Sequence, residues 1–96
     1  MKVYLPHINY TVHILTFKGK PKELNHAKAY TSKGADGKSC AMYLPKKPTP
    51  ATVTHEVIHV LRYICEARDM SFQLEEEHMA YIAQLLTNKA LGYEYD

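Results

Sequence analysis

PATVTHEVIHVLRYICEA, residues 50–67, is the stretch that decides the fold. Its apolar residues recur every three or four positions, which is the period of a helix with one buried face. Those residues are Val57, Val60, Leu61, Ile64 and Cys65. Thr49 can cap such a helix and Pro50 suits its first position, so we predict a helix from Pro50 to Ala67. Its apolar face needs a second layer of structure to pack against.

The polar face of the same helix carries the motif His55-Glu56-Val57-Ile58-His59. Histidines four residues apart lie one above the other, so both imidazoles can reach one ion. Glu56 projects about 100° around the helix from His55 and stays beside the metal without having to bind it. We therefore predict His55 and His59 as metal ligands, with Glu56 taking a proton from a zinc-bound water. The alternative is a pair of surface histidines with a solvated glutamate.

The residues before this helix favour strands. Residues 7–17 alternate between apolar and polar side chains, which predicts a long strand with one buried face. Residues 23–30 fit either a helical turn or a second strand centred on Tyr30. Residues 34–37 form a turn, and residues 39–44 favour another strand, so the strands around that turn should form a hairpin.

A second helix should follow the first. Ser71 can cap a helix that runs from Phe72 to Leu91, and Gly92 is a suitable end. The acidic run at residues 75–77 favours the positive end of that helix. The predicted fold class is α+β: a small antiparallel sheet of about three strands followed by two helices.

Length and composition are those of one folded domain over residues 1–96, with a β-rich part at 1–47 and a helix pair at 49–92. The chain is 46% hydrophobic and 23% charged, as in ordinary globular proteins. No apolar run is long enough for a transmembrane helix, and the start lacks the apolar stretch of a secretory signal. Cys40 and Cys65 do not make a disulfide framework, so we expect free thiols and a cytoplasmic location without membrane association.

The charge is unevenly distributed along the chain. Residues 1–47 contain nine lysines against Glu23 and Asp36, whereas residues 48–96 contain three basic and eight acidic residues. A basic half is compatible with a nucleic-acid-binding module. The lysines are scattered, however, and no aromatic-basic RNA motif accompanies them. Nucleic acid is therefore the least favoured of the partners considered.

A catalytic zinc site usually has three protein ligands and one open position. Two segments, His55-Glu56-x-x-His59 and Glu77-x-x-Ala80-Tyr81, together resemble the gluzincin family of metallopeptidases, in which a downstream helix supplies a glutamate ligand. The resemblance covers about residues 38–91. It implies a minimal zincin-like fold that holds one Zn²⁺ per chain, with Glu77 as the third ligand and Glu56 as the general base.

Several parts of the implied site have alternatives. His78 lies nearer the centre of the apolar stripe of the second helix than Glu77 does, so it is either a satisfied core residue or a competitor of Glu77 as third ligand. Tyr81 stands where family members often have an acidic or amide residue that holds a ligand histidine by a hydrogen bond. The phenol of Tyr81 can make that hydrogen bond, or Tyr81 is a packing residue. Tyr43 is a candidate donor to the oxyanion that forms during hydrolysis, or a packing residue.

The function that the resemblance implies is zinc-dependent hydrolysis of peptide bonds. Members of the gluzincin family bind an extended peptide along a strand that precedes the metal-binding helix. In this chain the resemblance places that strand at Ser39, Cys40, Ala41 and Met42. The alternative is a strand without a substrate. Only nineteen residues follow Glu77, so we expect an open cleft unless an oligomer or a partner protein completes it. The alternative function is a non-catalytic zinc-binding interaction protein on a zincin fold.

Overall fold

The computed structural model describes residues 1–17 and 29–92. Its first helix, α1, spans Pro50–Ala67 and confirms both predicted ends. The Thr49 hydroxyl accepts a hydrogen bond from the backbone N–H of Thr52 at 3.2 Å, as an N-cap should. The apolar side of α1 is buried, and Glu56 is buried with it.

Four strands form one sheet, and α+β is the observed class. They are β1 (Lys2–Leu5), β2 (Tyr10–Thr16), β3 (Tyr30–Lys33) and β4 (Ser39–Leu44). The order across the sheet is β1-β2-β4-β3. The β1–β2 and β3–β4 pairs are antiparallel, whereas β2 and β4 run parallel. The predicted antiparallel sheet is therefore corrected to a mixed one, because β2 pairs in parallel with β4 across a long stretch of chain. It also has one strand more than predicted, which is β1.

The predicted strand at residues 7–17 is wrong at its start. Pro6–Ile8 form a 3-10 turn, and Asn9 has a φ of 48°. Proline fixes φ and lacks an N–H, and asparagine tolerates this left-handed conformation, so the chain reverses here. Residues 2–5 then pair with β2 as a strand that the sequence pattern did not predict. The inward side chains of β2 are buried as predicted: Tyr10, Val12 and Ile14.

The predicted hairpin is confirmed by the antiparallel pairing of β3 with β4. The Gly34 N–H donates to the Ser39 carbonyl at 2.9 Å, and a Cβ at Gly34 would lie only 2.6 Å from that oxygen. Gly37 has a φ of 69°, which glycine adopts without strain. The ambiguous segment at residues 23–30 lies mostly outside the described residues, and β3 begins at Tyr30.

The second helix, α2, spans Glu76–Leu91, so it begins four residues later than predicted. Ser71 does not cap it. Its backbone carbonyl instead accepts from the Glu75 N–H in a turn, and Phe72 and Leu74 are exposed. These two apolar residues fit the helical pattern but have no core to pack against. Gly92 ends α2 in the left-handed conformation, as predicted.

Both helices contribute to one core on one face of the sheet. The buried apolar side chains are Val3, Leu5, Tyr10, Val12, Ile14, Ala29, Cys40, Met42, Leu44, Val53, Val57, Val60, Leu61, Ile64, Met79, Ile82 and Leu86. Helix α1 packs on β3 and β4 and against α2. Both cysteines are free, and burial raises the pKa of the Cys40 thiol to about 11. Neither helix in the described ranges has the length and apolar character needed to cross a membrane.

Candidate metal centre

The histidine pair, His55 and His59, lies on the side of α1 that faces away from the core. The two Nε2 atoms are 3.4 Å apart, and the rings meet edge to face. Two ligands about 2.05 Å from a tetrahedral zinc ion are separated by about 3.3 Å. The observed spacing therefore matches one edge of a zinc coordination tetrahedron. It also suits a hydrogen bond between two neutral imidazoles of opposite tautomers.

Glu56 lies beside the pair but is oriented differently. Its side chain is 6% exposed, whereas that of His55 is 70% exposed. One carboxylate oxygen, Oε1, accepts a hydrogen bond from the Thr31 hydroxyl at 2.8 Å. The other, Oε2, is 4.0 Å from His55 Nε2. The carboxylate is thus held at the junction of α1 and β3 with one oxygen toward the pair, so the predicted solvated alternative for Glu56 is wrong.

The helix face that carries the pair continues into an ion-pair network. Glu66 accepts from the Arg62 Nε at 3.0 Å and lies 3.5 Å from the Lys33 Nζ of β3. The hydrogen bond from Arg62, with Lys33 beside it, holds the pKa of the Glu66 carboxyl below its usual value. All three side chains are largely solvated, so these pairs stabilise the fold little. The contacts with Arg62 and Lys33 favour the ionised form of Glu66 at this end of α1.

The structure does not bring the predicted third ligands to the pair. Within residues 1–17 and 29–92, no three His, Cys, Asp or Glu side chains lie close enough to share a metal. Glu77 is exposed in the first turn of α2. The Cys65 and Met79 sulfur atoms are 3.8 Å apart, so the start of α2 lies near the end of α1. Cys65 is six residues beyond His59, which is about 9 Å along the helix axis.

His78 and Tyr81 lie together, but elsewhere. They line an apolar cavity of about 250 Å³ between α2 and the end of β1. The other lining residues are Tyr4, Leu5, Pro6, His7, Ile82 and Leu85. The His78 Nδ1 is 3.9 Å from a Glu75 carboxylate oxygen. In this arrangement neither His78 nor Tyr81 lies with the histidine pair.

Tyr43 faces the side of the sheet opposite α1. Its neighbours Met42 and Leu44 point into the core, and side chains alternate along a strand. Its ring stacks on that of Tyr30, with centroids 4.4 Å apart and planes 9° from parallel. The packing alternative for Tyr43 is therefore the one observed, and this side chain is not positioned to donate to an oxyanion beside α1.

The predicted substrate strand is also corrected. β4, which contains Ser39, Cys40, Ala41 and Met42, has β2 on one side and β3 on the other. Its backbone hydrogen bonds are used within the sheet, so it cannot add a peptide strand. Among the strands that the structure describes, β3 is the outermost one beside α1, and it carries Thr31. Thr31 could not be recognised from the sequence, because its contact with Glu56 spans 25 residues and leaves no local pattern.

Comparisons with protein-family models, with curated proteins and with solved structures found no match to this chain.

Proposed function

We propose that this chain is a zinc-dependent metallopeptidase in which the histidine pair binds the metal and Glu56 acts as the general base. The observation that carries the proposal is the 3.4 Å separation of the two Nε2 atoms, which fits zinc without rearrangement of α1. A glutamate with one oxygen toward the pair supports a catalytic role, since a purely structural zinc site has no use for it.

The chain's own groups divide the work of hydrolysis. Zinc, when bound, supplies Lewis-acid activation of water and of the peptide carbonyl. Glu56 accepts the proton of the attacking water on Oε2 and delivers it to the leaving amine. Thr31 holds Oε1 and so keeps the carboxylate from turning away. Burial of Glu56 against β3 restricts its rotamers, which favours a fixed position relative to the pair.

A peptide substrate fits best along β3. Thr31 of this strand contacts Glu56 at 2.8 Å, so a peptide that lies beside β3 is close to the general base. Thr31 then stands between the bound peptide and Glu56. The proposed site is in the cytoplasm, in keeping with the two free thiols.

The third protein ligand that we propose is Glu77, on the resemblance of its segment to the gluzincin motif. For Glu77 to bind, the first turn of α2 must approach the middle of α1. The histidine pair alone supplies two of the three protein ligands that catalytic zinc usually has.

Metal analysis combined with peptide cleavage tests the proposal. The native chain and Glu56→Gln should each bind one zinc per chain, and only the native chain should cleave a peptide library. His55→Ala with His59→Ala should bind none, whereas His7→Ala, which removes an exposed histidine elsewhere, should bind zinc normally. A native chain that binds no zinc would refute the metal site.

A second candidate function is zinc binding without catalysis, in a protein that interacts with another chain. The exposure of His55 favours it, because the described residues do not enclose the pair in a cleft. This candidate predicts the same zinc content in the native chain and in Glu56→Gln, with cleavage by neither. The same two measurements therefore separate the two functions.

A further inference from the structure

A polar cavity of about 290 Å³ lies on the face of the sheet opposite the helices. The residues that line it are Lys2, Asn9, Thr11, His13, Asp36, Lys38 and Ser39. Because α1 and α2 pack on the other face, this cavity is separated from the histidine pair by the full thickness of the sheet. No group in it takes part in the proposed peptidase chemistry.

Strand register brings the lining side chains together. Lys2 of β1 is directly opposite His13 of β2, and Thr11 of β2 is directly opposite Ser39 of β4. Thr11 and His13 are two residues apart and so share a face of β2. Lys38 immediately precedes β4, where its carbonyl accepts from the Thr11 N–H at 2.9 Å. The cavity is thus built from three adjacent strands.

The cavity has more basic than acidic side chains. Its one carboxylate, Asp36, is already engaged: Oδ1 accepts from the Lys38 backbone N–H at 2.9 Å and from the Ser39 hydroxyl at 3.0 Å. These hydrogen bonds lower the pKa of the Asp36 carboxyl, so it stays ionised and holds the hairpin turn. Within the described part of the chain, neither Lys2 nor Lys38 forms an ion pair with a carboxylate.

The nitrogen donors of three side chains meet at this cavity. Lys2 is directly opposite His13, and Lys38 lines the same cavity. An anion bound among them accepts hydrogen bonds from their nitrogen atoms, and those from the two lysines are charge-assisted. The Asn9 side-chain oxygen accepts from the Tyr4 hydroxyl at 2.9 Å, which leaves its amide nitrogen as a further donor.

We infer that this cavity binds a phosphate group, with Lys2 and Lys38 as its cationic contacts and with the His13 ring and the Thr11 hydroxyl as further hydrogen-bond donors. The cavity is larger than one phosphate ion, so it has room for part of the group to which the phosphate is esterified. The ligand is then free phosphate or a small phosphate ester such as a nucleoside monophosphate. Free phosphate and a phosphate ester would make the same contacts through the phosphate group. They differ only in the organic group that the ester carries.

Titration followed by amide NMR tests the inference. Inorganic phosphate and adenosine monophosphate are added separately to the full chain, and shifts are expected at the amides of residues 2, 11, 13, 38 and 39. Lys2→Ala with Lys38→Ala should weaken binding by about tenfold or more, because two charge-assisted contacts are lost. The matched control, Lys46→Ala with Lys47→Ala, removes the same charge from an exposed loop and should change affinity by less than about twofold.

The outcomes are distinct. Tighter binding of the monophosphate than of phosphate assigns an ester as the ligand, and equal binding assigns the free ion. Equal weakening in both double variants shows a diffuse basic surface and overturns the site. An absence of shifts at the cavity amides with either ligand also overturns it. Unchanged amide spectra of the free variants exclude misfolding as the cause.

Discussion

The Thr31 hydroxyl lies 2.8 Å from Oε1 of Glu56 and connects strand β3 to the middle of α1. It is the hydrogen-bond donor that the described residues provide to this buried carboxylate. Thr31→Val should destabilise the fold by about 1–3 kcal/mol, because a buried acceptor loses its partner. Urea unfolding measures the loss, and Thr54→Val, on the exposed side of α1, is the control.

The same variant separates positioning from metal binding. Thr31→Val should lower kcat by about tenfold while zinc affinity changes by less than about threefold, because Thr31 touches Glu56 and not the histidines. Thr31→Ser keeps the hydroxyl and should restore most of the activity. If Thr31→Ser is as impaired as Thr31→Val, the hydroxyl alone does not sustain activity, and the hydrogen bond to Glu56 is not sufficient to explain the role of Thr31.

Zinc titration of Glu77→Gln tests the proposed third ligand. Loss of a charged ligand should weaken zinc binding by about tenfold or more, whereas Glu76→Gln, one residue away, should bind zinc within about twofold of the native chain. His78→Gln tests the alternative ligand in the same way. Small and equal effects in all three variants would restrict the protein ligands to His55 and His59.

The first helix could be predicted to the residue because its signals are local. Thr49 and Pro50 mark its start, and the apolar period runs without interruption to its last turn. The hairpin was also predictable, since the turn residues and both flanking strands are contiguous in sequence. The positions of His55, Glu56 and His59 relative to one another follow from helix geometry alone.

The parts that could not be predicted depend on contacts between distant residues. The parallel pairing of β2 with β4 has no local signature, and Lys2–Leu5 become a strand only because β2 is available to pair with them. The distance from Glu77 to the histidine pair depends on how far α1 continues past His59 before the chain reverses into α2. A sequence motif gives the number of residues between Glu77 and His59, but it does not give the residue at which α1 ends.

The pH dependence of stability should include a contribution from Asp36. Its pKa is lowered in the folded chain by the Lys38 N–H and the Ser39 hydroxyl. A depressed carboxyl pKa stabilises the fold above the unfolded-state value of about 3.9, and this contribution is lost as the pH falls through the folded value. Between about pH 5 and pH 2, Asp36→Asn should therefore lose less stability than the native chain.

Chemical denaturation at a series of pH values measures this difference. Asp69→Asn is the matched control, because its carboxylate accepts no hydrogen bond from the described residues. A native-like pH slope in Asp36→Asn would mean that the hairpin turn does not depend on the charged form of Asp36.

Arg68 should stabilise the reversal between β1 and β2 from the end of α1. Its Nε donates to the Ile8 carbonyl and its Nη2 to the Asn9 carbonyl, both at 2.6 Å, and its guanidinium lies 5.8 Å from the Tyr10 ring centroid. Arg68→Ala should cost about 2 kcal/mol or more in urea unfolding, because two carbonyls lose a charged donor. Arg68→Lys should recover only part of this, since an ammonium cannot reproduce the planar fork.

Arg62→Ala removes an exposed ion pair and should cost no more than about 0.5 kcal/mol. Equal losses at the two arginines would show that the contacts to the turn contribute nothing beyond surface charge.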